Sequence, residues 1–248
     1  MNFYSRLIVI LFAAIIIIPL NSEAIGMRKK GGKGAFAGGS VSAGIGLAFV
    51  TADQSGINDL ITSAKSSSAA TTGNLSSGYE LTTHLTFRFS NNLVAIQLRP
   101  SYFTQETAGT GSLGNFNYKL TGFTVFPMVR LIPLANEIID FYVQGGIGYG
   151  KLDGDIVNGG RTAKFSGSGF GMQAGLGADF CFVPDHCFGV EGNYRYLPLS
   201  RNIVSSSTGL IDGASQSQPD RELENANGSD VATTMSGISG ALNYTIIF

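Results

Sequence analysis

The segment 109–114 has the residue types and spacing of a phosphate-binding loop. It reads Gly-Thr-Gly-Ser-Leu-Gly, the glycine pattern that cradles a dinucleotide. That chemistry needs a strand before the loop and a helix after it, because the phosphate sits at the helix N-terminus. Here a strand pattern follows at once. The sequence therefore predicts a flexible loop at this position and no bound cofactor.

The two histidines are candidates for metal binding or general base catalysis. The neighbours of His84 on its predicted strand are Thr82, Thr86 and Glu80, and His186 lies in a short turn. Two histidines without an acidic cluster do not make a metal site. A lipid-modifying hydrolase would need a histidine beside a serine and an acid, a role still open for His84, but a buried, hydrogen-bonded histidine is favoured. We predict that the protein is not an enzyme.

Six charged residues fall on the polar sides of alternating segments, where they could form an acid–base constellation, an ion path or a plug. They are Glu80, Arg88, Arg99, Asp179, Glu191 and Arg195. Three are acidic and three are basic, and buried charges must be paired. An internal salt-bridge network that fills a narrow barrel is favoured, and a pore remains the alternative.

Cys181 and Cys187 bracket a predicted hairpin turn that contains Pro184. Their spacing places them opposite each other on the two strands, both on the polar side. In an oxidising compartment such a pair forms a structural disulfide. We favour the disulfide over two free thiols.

Segments of period-2 alternation carry His84 and the six charged residues. In 79–89 the odd positions are mostly apolar and the even positions polar, a pattern that only a two-faced strand needs. The same alternation predicts eight strands, at 41–49, 79–89, 94–102, 116–131, 141–149, 170–180, 188–196 and 238–248. The fourth changes phase, which we interpret as a β-bulge near Gly122.

The connections between these strands alternate in length. Those after strands one, three, five and seven are long, at 51–78, 104–115, 151–163 and 197–230, and the others are short. Long loops at one end and short turns at the other are typical of a transmembrane β-barrel. The sequence predicts an all-β fold, an eight-stranded antiparallel transmembrane barrel with short periplasmic turns and long extracellular loops.

A soluble barrel of the lipocalin type is the competing interpretation. It needs a coat of surface charges, but only 13% of the 248 residues are charged, against roughly 25% in soluble domains. The membrane barrel is therefore favoured, with its apolar faces against lipid. Eight tyrosines are candidates for the interfacial girdles: Tyr79, Tyr102, Tyr118, Tyr142, Tyr149, Tyr194, Tyr196 and Tyr244. Of these, Tyr142 falls on the polar side of its strand by the alternation.

The N-terminus has the pattern of an export signal. One basic residue, Arg6, precedes an apolar run at 7–20, and small residues follow at 22 and 24. We predict a signal peptide at 1–24, a periplasmic segment at 25–34 and the barrel at 35–248.

The net charge of the chain is −1, so it lacks the excess of basic residues that neutralising phosphates requires. Nucleic acid is therefore not an expected partner.

Three glycine-rich or terminal motifs carry a family resemblance. The segments 141–150 (FYVQGGIGYG), 169–180 (GFGMQAGLGADF) and 242–248 (LNYTIIF) resemble the OmpA/OmpX-like outer-membrane β-barrel superfamily. The resemblance implies a bacterial outer-membrane location and contact with its lipid. It also implies that Leu242, Tyr244, Ile246 and Phe248 form the signal recognised by the β-barrel assembly machinery.

The function expected from these features is structural or adhesive, because loops on a rigid scaffold carry function. An extracellular ligand is then a possible partner. A small-solute channel is the alternative, and an outer-membrane enzyme that modifies lipid is a third hypothesis.

Overall fold

The computed structural model describes residues 39–90, 92–136, 138–199, 201–209, 211, 218–225 and 228–248. The predicted signal peptide at 1–24 and the segment 25–34 lie outside these residues. Within the described ranges, no helix has the length and apolar character needed to cross a membrane.

Eleven strands and one α-helix are present in the described chain. They are β1 (Ser40–Thr51), α1 (Ser55–Ser68), β2 (Ser77–Arg88), β3 (Val94–Gly111), β4 (Gly114–Ala135), β5 (Ile139–Asn158), β6 (Arg161–Val183), β7 (His186–Tyr196), β8 (Pro198–Leu199), β9 (Asn202–Thr208), β10 (Thr233–Thr234) and β11 (Gly237–Ile247).

Eight of these strands close into an antiparallel ring, in the order β1 to β7 followed by β11. The ring closes because β11 pairs with β1 along ten positions, from Ser42 opposite Ile247 to Thr51 opposite Ile238. Closure leaves no sheet edge within the ring, which is what a strand-built membrane protein requires. The predicted eight-stranded barrel is confirmed.

The outward face of the ring is apolar between two levels of aromatic residues. At the long-loop end the level contains Phe49, Tyr79, Tyr102, Phe123, Tyr149, Phe170, Tyr194 and Tyr196; at the short-turn end it contains Phe87, Phe141, Phe180, Phe182, Phe188, Tyr244 and Phe248. On β2, Phe87 comes eight positions after Tyr79, about 27 Å along the strand. Because membrane strands tilt by about 35–45°, this corresponds to a height of about 20 Å, close to the apolar band of about 25 Å in membrane barrels.

Two of the eight tyrosines proposed for these girdles lie inside the barrel. Tyr142 does so as its phase predicted, whereas Tyr118 does so against the prediction, and both are almost completely buried. Tyr118 is on the part of β4 that extends beyond the aromatic level.

Two of the predicted long loops are extensions of strands. β3 and β4 continue through 104–115 to a tight turn at Ser112 and Leu113, and β5 and β6 continue through 151–163 to a turn at Gly159 and Gly160. Both glycines have positive φ, 57° and 88°, as two-residue hairpin turns of type I′ require. The glycine motif 109–114 is therefore the tip of a hairpin, and the prediction of a flexible loop there was wrong.

The predicted bulge near Gly122 is absent from β4, so it does not explain the phase change in the sequence pattern. The pairing of β4 with β3 is continuous from Val94 opposite Leu131 to Gly111 opposite Gly114, and the irregularity toward β5 lies between Leu131 and Leu134. Even positions face inward from Phe116 to Ile132. What changes is the surroundings: above the aromatic level the inside becomes apolar and the outside meets water.

An apolar core fills the long-loop end of the barrel. It joins Phe103, Phe116, Tyr118, Leu120 and Phe165 of the extended strands to Ile57, Leu60 and Ile61 of α1 and to Leu197, Leu199 and Met235 of the last connection. β9 adds to the sheet by pairing with β6. We call this part the cap; it comprises α1, β8 to β10 and the hairpin ends 104–121 and 151–168.

Candidate functional site

Glu191 is the centre of the polar network in the lumen. Its Oε1 accepts hydrogen bonds from Arg99 and Asn193, and its Oε2 accepts one from the Tyr142 hydroxyl at 3.0 Å. Nη2 of Arg130 lies 3.8 Å from Oε2. The Glu191 side chain is 1% exposed and that of Arg99 is 6% exposed. The pair is thus buried and held by several donors.

Arg130 connects Glu191 to a second carboxylate. Its Nη1 donates to Asp179 at 3.1 Å and its Nε donates to Gln144 at 3.2 Å. The guanidinium also stacks over the Tyr142 ring, 3.6 Å from the ring centroid. Arg130 therefore satisfies two acids at once.

Glu80 and Arg195 form a separate buried pair below the cap. Nη1 of Arg195 lies 2.9 Å from Oε1 of Glu80, which also accepts a hydrogen bond from Ser101. Nε of Arg195 donates to the carbonyl of Met235 at 2.6 Å. Because Met235 belongs to the apolar core, this arginine ties the polar lumen to the cap.

Arg88 pairs with Asp140 near the short-turn end, at 2.6 Å. All six charged residues predicted for the lumen lie on its inner side, and each has an oppositely charged partner. The network also contains Arg130, Asp140 and the Tyr142 hydroxyl, which were not predicted from the sequence. The alternation 140, 142, 144 would have identified Asp140, and the phase change in β4 concealed Arg130.

Each histidine pairs with a hydroxyl group. Nε2 of His84 is 3.1 Å from Oγ1 of Thr245 in the lumen, and Nδ1 of His186 is 2.7 Å from the Tyr244 hydroxyl at the short-turn end. Among the described residues, no group of three or more His, Cys, Asp or Glu is placed to hold a metal ion. The arrangement suits packing and ion pairing.

The structure joins Cys181 and Cys187 in a disulfide across the β6–β7 turn, with a Cα–Cα distance of 4.1 Å.

Of the proposed assembly signal, Leu242, Tyr244 and Ile246 lie on the outward face of β11. Phe248 follows that strand, and its backbone N–H donates to the carbonyl of Val41 at 2.7 Å. The four residues are thus at the seam that closes the ring.

Comparison with known proteins decides the family of this barrel. Residues 10–245 match the outer membrane protein beta-barrel domain family. The chain belongs to this family. None of the curated proteins matches it at a significant level.

Two solved structures show the same fold. The outer membrane protein OprG from Pseudomonas aeruginosa has 13% sequence identity and a TM-score of 0.57, covering 86% of this chain and 98% of its own. A major outer membrane protein from Thermus thermophilus has 12% identity and a TM-score of 0.54, covering 85% of this chain and 99% of its own. The predicted location in the bacterial outer membrane is confirmed.

Membership of the outer membrane protein beta-barrel family also orients the molecule. In such barrels short turns face the periplasm and the longer connections face outward. The turn that contains Asp185 is therefore periplasmic, and the cap projects from the cell surface. The ion pairs of the lumen lie within the membrane zone, and most of the apolar core lies above it.

Proposed function

We propose that this protein is a closed outer-membrane barrel that displays a rigid cap for binding outside the cell, an adhesive or surface-interaction role. The lumen carries this proposal, because it is filled at two levels. Paired charges occupy the membrane zone, and the apolar core with α1 occupies the extracellular end. Eight-stranded barrels are just wide enough for side chains to fill them.

The cap supports the surface role because it is folded. The buried face of α1 consists mainly of Ile57, Leu60, Ile61 and Ala64, and Gln54 beside it exchanges hydrogen bonds with Thr234. A preorganised surface loses little conformational entropy on binding. The outward positions of the hairpins are polar and meet water. We propose no catalytic activity, since the candidate histidines lie in the lumen and at the periplasmic turn.

Purified protein in planar lipid bilayers is expected to show negligible steady conductance, because the ion pairs and the core obstruct the lumen in series. A general diffusion porin reconstituted in the same bilayers is the positive control. Large, steady, ion-selective currents from the wild-type protein would overturn the closed barrel and favour the small-solute channel.

The surface role is tested with non-adherent bacteria that display the protein. We expect wild-type cells to bind epithelial monolayers better than a variant with Ile57→Asp and Ile61→Asp, which should detach α1 because both side chains are buried. The control variant carries Ser66→Asp and Ser67→Asp on the exposed face of α1. Equal binding by cells with and without the protein would contradict an adhesive role.

A further inference from the structure

The lipid-facing wall of the barrel contains an apolar hollow of about 520 Å³. Its floor consists of Ala178, Gly192 and Gly240, and its rim includes Leu176, Val190 and Leu242. Leu176, Gly192 and Gly240 are opposite one another in the register of β6, β7 and β11. Each is four positions from an aromatic residue at the short-turn end, namely Phe180, Phe188 and Tyr244. On β7 the two aromatic levels are eight positions apart, at Phe188 and Tyr196, so the hollow lies near the middle of the apolar band.

The two glycines of the floor answer no packing need of the barrel itself. A Cβ added to Gly192 or Gly240 would meet no other atom within 4 Å, and neither residue has a positive φ. An aromatic ring on a neighbouring strand can cover a glycine, but the ring of Phe49, which is opposite Gly240, packs against Tyr79 at 5.9 Å. Glycine inside a strand weakens it and often marks the close approach of another backbone or a ligand. The approach must come from outside the wall.

Small outward residues are concentrated on this side of the barrel. Strands β5, β6, β7 and β11 are consecutive in the ring. Between the aromatic levels their outward positions include Gly145, Ala174, Ala178, Gly192 and Gly240. The corresponding positions of β2, β3 and β4 carry leucine, isoleucine, valine, threonine and proline. Within lipid, protein surfaces associate through close van der Waals packing, and small residues allow their backbones to approach. This sector is therefore the part of the wall suited to contact with another protein.

The wall is complementary to a second copy of itself at this depth. Two copies have the same orientation in the membrane, so the two-fold axis of a dimer is parallel to the membrane normal. Each residue then meets residues of the other copy at its own depth. Leu176 is 56% exposed and lies beside Gly192, at the depth of the hollow. Rotation by a half-turn about an axis between β6 and β7 places Leu176 of each copy over the hollow of the other.

We propose that this hollow is the interface of a homodimer, in which Leu176 of each copy packs onto Gly192 and Gly240 of the other. A lipid acyl chain is the competing occupant. Fluid acyl chains adapt to any apolar wall and need no glycines, whereas a side chain held at a fixed depth needs a matching space. The dimer displays two caps side by side, and two linked binding surfaces hold a multivalent target more tightly than one. The interface does not depend on what the cap binds.

The test measures energy transfer between labelled copies of the mature protein in lipid vesicles. Ser66→Cys on the exposed face of α1 carries the donor or acceptor dye, since the two native cysteines are joined to each other. Dilution with lipid gives the dissociation constant of the dimer. We expect transfer above the level of randomly distributed barrels, and unlabelled protein should compete it away. Gly192→Leu with Gly240→Leu fills the hollow and should raise the dissociation constant by about tenfold, equivalent to about 1.4 kcal/mol. Leu176→Ala should also raise it.

The matched control is Thr83→Leu with Val125→Leu, which adds apolar volume to the outward side of β2 and β4. It should leave the dissociation constant unchanged, and gel mobility with and without boiling verifies that every variant is folded. Native mass spectrometry identifies the occupant: a monomer that retains a lipid in the wild type, and loses it when the hollow is filled, would assign the hollow to an acyl chain. That result, wild-type transfer at the random level, or equal weakening by the control would overturn the homodimer.

Discussion

Replacing Glu191 by alanine is expected to lower the free energy of unfolding by about 3–5 kcal/mol. The carboxylate is bonded to Arg99, Tyr142 and Asn193 and lies near Arg130. Its loss leaves the buried Arg99 guanidinium without its direct ion-pair partner. Urea unfolding of protein in lipid vesicles, followed by far-UV circular dichroism, measures the effect; the chain has no Trp to report by fluorescence.

The matched control is Glu106→Ala, which breaks an exposed pair with Lys119 on the cap. Its expected cost is about 1 kcal/mol or less. Arg99→Ala should resemble Glu191→Ala, and the double variant should lose less than the sum, because the two residues share one interaction. If Glu191→Ala costs no more than Glu106→Ala, the lumen network does not stabilise the barrel.

Deleting Phe248 is expected to remove most of the folded outer-membrane fraction in cells and to change spontaneous refolding into detergent only slightly. The refolding cost is small because the deletion removes the backbone hydrogen bond to Val41, about 1 kcal/mol, and a side chain at the periplasmic edge. The larger cellular cost follows if Phe248 is read by the assembly machinery. Heat-modifiable mobility of membrane fractions and of refolded protein provides the two measurements.

Phe248→Tyr is the control, since it keeps an aromatic residue at position 248 and the backbone hydrogen bond to Val41. It should assemble nearly as well as wild type. If the deletion lowers the folded fraction equally in cells and in detergent, the energetics of closing β11 onto β1, and not recognition, explain the apolar residues at 242, 244, 246 and 248. Normal assembly in cells would show that Phe248 is not part of a recognition signal.

Alternation allowed the sequence to predict the eight ring strands and the inward side of the charged residues. Side chains alternate strictly along a strand, so the segment with Tyr79 and Glu80 has one lipid face and one lumen face wherever it lies. The same reasoning placed Cys181 and Cys187 on facing strands. Local pattern decides these features because they depend on only one strand or one turn.

The ends of the strands could not be predicted in the same way. Tyr118 and Leu120 look like lipid-facing residues by type, but they face inward, because the barrel interior changes from polar to apolar at the aromatic level. Ser and Gly residues near 109–114 and 159–160 suggested loops, whereas paired neighbours hold them in hairpins. Whether lipid, water or protein surrounds a segment depends on the structure of the whole molecule.

By itself, the sequence determined an outer-membrane barrel, its strand faces and six of the charged residues inside it. Only the tertiary structure decided which charges pair, that Arg130 and Tyr142 join Glu191, and that α1 covers an apolar core. The pairs form between strands far apart in the chain, such as β3 with β7 for Arg99 and Glu191. Period-2 alternation gives a side chain its face of the sheet, but only closure of the ring gives it a partner across the lumen.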